Sequence, residues 1–266
     1  MTNSYPKHLL WGACCSVVLM AATGCQKSYE IQSVTGSRYE ITAALDSCPR
    51  DTTAEQLLIP YKKVVDSIKA PVLGQSAMAM EGGRPESLLA NFAADALYEM
   101  AGKVSGKPVD MALANMGGLR NKMPQGTITY GDVYNIFPFE NSLCIMELTG
   151  ENLTKLFENI ASTKGECISH ARLEIGADGR LLKATIGGKA VDPAKSYRLA
   201  TLDYLAEGND NMKALTLGTN RQFPKDATIR ALIVNYIKEK TAQGKEITSA
   251  LDGRIKIIGE VEPQKK

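Results

Sequence analysis

The chain has 266 residues, enough for one domain with a sizeable core or for two small ones. Lys and Arg number 31 against 29 Asp and Glu, without a basic tract, so charge makes no case for nucleic acid or an acidic polymer as partner. Only two histidines occur, His8 and His170, and no H-x-H, H-E-x-x-H or C-x-x-C pattern appears, which argues against a self-contained metal site and a Ser-His-Asp triad.

Residues 1–24 read as a secretion signal: Lys7, then an apolar run from Leu9 to Ala22 and no acidic residue. The run is too short for an ordinary membrane span. It ends in "AATGC", small residues directly before Cys25, and resembles the bacterial lipoprotein signal. Ala22 stands where that signal usually has leucine. The resemblance implies lipidation of Cys25, which would become the new N-terminus and tether a soluble domain to the cell envelope. Export with anchoring to the outer membrane is the expected localisation. Cys48, Cys144 and Cys167 then remain, an odd number from which sequence chooses no disulfide pair.

Residues 25–50 read as a lipidated lead-in, with β-formers around a Thr-Gly turn in 26–45 that suggest a short hairpin or an extended segment. One domain is expected over 51–266. Residues 54–69 place Leu57, Leu58, Tyr61, Val64, Val65 and Ile68 at helical spacing, with Pro60 expected near the true start. A strand follows over 70–80, then a loop, "EGGRPES". The clearest helix spans 86–103, with Pro85 expected in its first turn. A buried strand over 108–114 leads into "NMGGLR". "ITYGDVYNIF" holds a short helix capped by Thr129 with Asp132 three residues on. A strand over 142–148 and an amphipathic helix over 150–162 come next. "ARLEIGADGRLLKATIGGKAV" reads as strand, turn, strand; 196–202 as a strand; 203–212 as a loop. Residues 227–241 form a helix, "GRIKII" a closing strand, and 260–266 a frayed tail. Helices and strands mix without βαβ alternation, which predicts an α+β fold with mixed sheets.

Several loops share a polar or aromatic residue beside glycine at a strand end: Asn115 and Arg120, Phe139, and Tyr204 with Asp210. The glycines turn the chain or let a ligand approach the backbone. Two aromatic rings can sandwich a base, a carboxylate accepts from two vicinal hydroxyls, and a guanidinium meets phosphate oxygens in a fork.

Four pieces in order, "ESLLANFAADALYEM", "NMGGLR", "ITYGDVYNIFPF" and "YRLATLDYLAEGND", resemble the C-terminal domain of the 5'-nucleotidase family, which includes bacterial UDP-sugar hydrolases. The resemblance covers residues 72–260 and implies layered mixed sheets flanked by helices. It implies that Asn115 bonds the nucleoside, Arg120 meets phosphate, Phe139 and Tyr204 stack on the two faces of the base, and Asp210 takes the ribose hydroxyls. Arg84 lies one residue out of register with a family arginine and joins the substrate-binding candidates. Asp95, Glu86 and His170 are read as structural.

In the family a separate metallophosphoesterase domain holds two metals and cuts the ester. About 47 residues separate Cys25 from the start of the resemblance, and they carry no metal-ligand motif. The expectation is therefore a chain with no cofactor and no catalytic residue of its own, binding a nucleotide or nucleoside and inactive alone. It would be half of a split 5'-nucleotidase in nucleotide catabolism, with divalent metals only on a partner metallophosphoesterase chain. The alternatives are a non-catalytic nucleoside- or nucleotide-binding lipoprotein and a degenerate interaction domain. Three departures bear on the pocket: Met116 in place of a family glycine is expected to narrow it, Glu140 to oppose phosphate, and Asn209 to take a left-handed turn.

Overall fold

A computed structural model of the protein describes residues 31–38 and 51–259. Residues 31–38 are exposed and carry no regular secondary structure. The signal, Cys25, Cys48, the rest of the lead-in and the 260–266 tail lie outside the described residues.

Local signals set most element boundaries. Helix α1 is Thr52–Lys69 and strand β1 is Val72–Ser76. Helix α2, Leu88–Ser105, starts where the Ser87 hydroxyl accepts the Ala90 N–H at 3.3 Å and stops at Gly106, φ 66°. Ser87, rather than Pro85, therefore marks its entry. Strand β2 is Met111–Ala114, followed by a three-residue turn at Met116–Gly118, and β3 is Gly126–Thr129. Helix α3, Tyr130–Ile136, opens with the expected capping box: Thr129 and Asp132 satisfy each other's backbone N–H. Strand β4 (Leu143–Thr149) leads into α4 (Gly150–Ser162), which buries Leu153, Leu156, Phe157 and Ile160. Then come β5 (Cys167–Ser169), β6 (Ala171–Gly176), β7 (Leu181–Ile186), β8 (Lys189–Ala190) and β9 (Ser196–Leu202). Helix α5 (Asp203–Ala206), β10 (Thr219–Gln222), α6 (Ile229–Ala242) and β11 (Ile255–Ile258) complete the chain.

The central sheet runs β10-β4-β9-β2-β5. Only β2 and β9 are parallel neighbours within it, so the sheet is mixed. A second mixed sheet runs β11-β6-β7-β8, and β1 pairs with β3 as a two-stranded ribbon. Two apolar cores lie on the two faces of the central sheet. Ala112, Ala114, Leu143, Ile145, Ala200 and Leu202 point into one core with α2 and α6. Met111, Leu113, Cys144, Met146, Leu199 and Tyr197 point into the other, with α4 and the second sheet. This is the period-two alternation of a strand, and burial of both faces explains the unbroken apolar run of β2. The architecture is α+β, with layered mixed sheets flanked by helices.

Four features differ from the sequence reading or were not given by it. Pro60 lies inside α1 and not at its start. The apolar stripe of α1 is exposed along its length, from Leu57 to Ile68. Residues 203–212 hold the short helix α5 rather than only a loop, and β10 was not foreseen. Cys144 and Cys167 are free and buried, and burial pushes the Cys144 thiol up to about 11.

Candidate functional site

Strands β2 and β9 run parallel, so their carboxyl ends reach the same edge of the central sheet; β4, antiparallel to β9, begins there. That edge gathers Asn115 just after β2, Tyr204 and Asp210 after β9, and Phe139 and Asn141 just before β4. Together with Gly117 and Arg120 they line a cavity of about 330 Å³.

Asn115 is 7% exposed. Its amide donates to Asp210 Oδ2 at 2.7 Å, while its Oδ1 is buried without a hydrogen-bond partner. An unmet buried acceptor costs about 1–3 kcal/mol, and a ligand donor would satisfy it. Gly118 packs closely beside it: a Cβ there would lie 2.8 Å from Asn115 Oδ1 and would make that side chain shift. The Tyr204 hydroxyl donates to Asp210 Oδ1 at 3.0 Å, and this bond raises the phenol pKa above its usual value. Asp210 itself sits at φ 50°, a left-handed conformation that Asp tolerates better than most residues. Its side chain is thus aimed by three devices: the strained turn, Asn115 and Tyr204.

Arg120 makes one long hydrogen bond, 3.4 Å to the Gly117 carbonyl, and its guanidinium lies 6.0 Å from the Phe139 ring centroid. No described carboxylate pairs with it. The charge is held by the ring face and stays available to an anion. Phe139 and Tyr204 are both partly exposed, at 47% and 39%, and make no ring-to-ring contact. Large aromatic surface left open on a cavity wall is a stacking platform.

Arg84 stands apart from this set. It lines a neighbouring hollow of about 490 Å³, which Arg120 also borders. Its guanidinium pairs with Glu166, and its Nε donates to the Gly165 carbonyl at 2.8 Å. Glu166 is the residue sequence reasoning missed. A lone acid between a helix and a strand gives no periodic or motif signal, although an acid in an otherwise apolar "ECIS" stretch asks for a buried partner.

The departures resolve differently from expectation. Met116 faces the Arg84 hollow and is not on the wall of the Phe139–Tyr204 cavity. Glu140 pairs with Arg230, a buried arginine that also donates to the Phe137 and Pro138 carbonyls, so its charge is answered outside the cavity. Asn209 is not left-handed; Gly208, Asp210 and Asn211 are, and the Asn209 amide instead donates to the Tyr204 carbonyl at 2.8 Å. His170 lines a different hollow and stacks on Tyr98 with ring centroids 3.5 Å apart. Among the described residues no group of three His, Cys, Asp or Glu could hold a metal ion.

Fold and site together define a domain that presents aromatic, carboxylate and guanidinium groups at one sheet edge. The family model for the 5'-nucleotidase C-terminal domain matches residues 64–217, more than half of the chain, and the chain belongs to that family. It is 31% identical to Protein UshA of Yersinia enterocolitica over 170 residues, 60% of this chain and 30% of that protein. It is 30% identical to Endonuclease YhcR of Bacillus subtilis over 243 residues, 87% of this chain and 18% of that protein. A 5'-nucleotidase precursor from Thermus thermophilus superposes with a TM-score of 0.69 at 25% identity, covering 81% of this chain and 45% of that one. The chain thus spans less than half the length of each of these proteins.

Proposed function

We propose that the chain is the nucleotide-binding half of a split 5'-nucleotidase. The base enters between Phe139 and Tyr204, the ribose hydroxyls meet Asp210 and Asn115, and the phosphate meets Arg120. Hydrolysis belongs to a separate metallophosphoesterase chain that supplies divalent metals and water, while this chain holds the substrate in place. Export and a lipid on Cys25 would put both at the envelope, in nucleotide catabolism. Membership of the family supports the nucleotide. The observation that carries the reading is one cavity with open aromatic walls, an oriented carboxylate and an arginine that no described carboxylate neutralises.

Isothermal titration of the full chain in detergent against AMP and adenosine tests it. Binding of both is expected, with Arg120→Ala weakening AMP alone. Silence at millimolar concentrations of either ligand would overturn it.

A further inference from the structure

Two arginines border the hollow beside the nucleotide cavity, and they come from separate loops. Arg84 precedes α2, and Arg120 follows β2. Their spacing depends on what joins those loops.

Glu166 joins them. It lies between α4 and β5, and its side chain is 1% exposed. One carboxylate oxygen pairs with Arg84 Nη2; the other accepts the Met116 N–H at 2.5 Å. The preceding residue reinforces the link: the Gly165 carbonyl takes Arg84 Nε. Gly165 sits at φ 118°, pressed so closely on Pro85 that no side chain fits. Residues 165 and 166 therefore clamp the Arg84 loop to the turn that begins at Met116. Arg84 Nη1 keeps no hydrogen bond to a described residue, so part of its fork remains for a ligand.

We propose that Glu166 is a positioning residue for the phosphate end of the site, holding Arg84 beside Arg120 through the Arg84 pair and the Met116 amide. The inference rests on the nucleotide reading above. With Glu166 buried and Arg84 40% exposed, the pair is a weak source of net stability, because desolvation of the carboxylate offsets a solvent-screened attraction. Burial indeed pushes the Glu166 carboxyl pKa up, against the Met116 N–H and Arg84, and the Asp210 charge adds to the rise. A carboxylate kept in that position serves geometry better than stability.

The test is isothermal titration of AMP and adenosine against variants of the full chain in detergent, with melting temperatures measured alongside. Glu166→Ala is expected to weaken AMP about tenfold and adenosine less than about twofold. Glu166→Gln keeps one acceptor oxygen, enough for the Met116 N–H or for Arg84 but not for both, and should recover only part of the AMP affinity. On an Arg84→Ala background, Glu166→Ala should weaken AMP no further. Equal loss of both ligands, following the melting temperature, would make Glu166 structural only and overturn the inference. Arg84→Ala covers the case of a Glu166→Ala chain that does not fold: unchanged AMP affinity there overturns the inference too. A wild-type chain that takes neither ligand fells the nucleotide reading itself, a result distinct from either of these.

Discussion

Two polar clusters in this molecule each combine arginine with aspartate and differ in how far their groups are engaged. Asn115, Arg120, Tyr204 and Asp210 line one hollow; Asp95, Ser169, His170, Asp252 and Arg254 line another of about 400 Å³. In the second, every strong group is engaged. Arg254 makes five hydrogen bonds, two to Asp95, two to Asp252 and one to the Ile168 carbonyl. Ser169 donates to Asp95 at 2.6 Å and shares a 3.0 Å contact with His170 Nδ1. In the first, Arg120 has one long bond and Asn115 Oδ1 has none. The larger hollow is the saturated one. Spare bonding capacity, rather than volume or the number of charges, separates the surface proposed to bind from the one whose groups bond to one another.

The largest expected effect tests that contrast through stability. Arg254→Ala leaves Asp95 without its cation, Asp252 with only the exposed Arg172 at 3.5 Å, and the Ile168 carbonyl without the guanidinium donor. A loss of about 2–3 kcal/mol is expected, below the fully buried limit because both carboxylates are partly exposed. Arg120→Ala removes a group the fold barely uses, and its cost should stay within about 0.5 kcal/mol. Urea titrations of both variants decide it. If Arg120→Ala proves the more destabilising, the contrast fails.

Affinity gives the next effects. Phe139→Ala deletes one stacking wall and should cost about 1–3 kcal/mol of adenosine binding, with little change in melting temperature. A smaller loss is expected from Gly118→Ala. Its Cβ would sit 2.8 Å from Asn115 Oδ1 and push that side chain off Asp210. Titration of adenosine should then show a fewfold weakening. Unchanged affinity would mean that Asn115 need not be held where it is.

The sequence exposed the cluster proposed to bind better than the saturated one. Asn115, Arg120, Phe139, Tyr204 and Asp210 each sit beside a glycine or a strand end, where local composition breaks from the apolar pattern. Capping at Thr129 and the strands β4 and β9 were legible for the same reason: both signals are local. What joins distant segments was not. Glu166 and Arg84 lie 82 residues apart, Asp95 and Arg254 159 apart, and no periodicity links them. The stripe of α1 shows the same limit from another side. Its spacing correctly marked an amphipathic helix, yet α2, of equal length at 18 residues, buries ten side chains while α1 buries none. Periodicity identifies an apolar face and says nothing of what covers it.

The smallest effect probes the one member of the saturated cluster whose ordinary pKa lies near neutrality. Burial lowers the His170 pKa, the Arg254 charge lowers it further, and Asp95 opposes both. The unfolded chain, near 6.5, therefore takes up the proton first as pH falls. Stability from this residue is complete above about pH 6.5 and declines as pH drops through the window below it. Glu166 has the opposite sign: its raised carboxyl pKa makes stability fall as pH rises from about 4.5 toward its folded value. The wild-type curve mixes the two, so the informative quantity is its difference from His170→Asn, a residue that also accepts the φ of 63°. Lost stacking on Tyr98 shifts that difference by a constant; only its slope reports the proton. Denaturant titrations at pH 5.5 and 7.5 should show the wild-type advantage growing with pH by less than about 1 kcal/mol, the ring being largely in contact with solvent. A flat difference would mean that His170 is as indifferent to protonation as its neighbours' full bonding suggests, and an inverted one would place Asp95, not burial, in control of it.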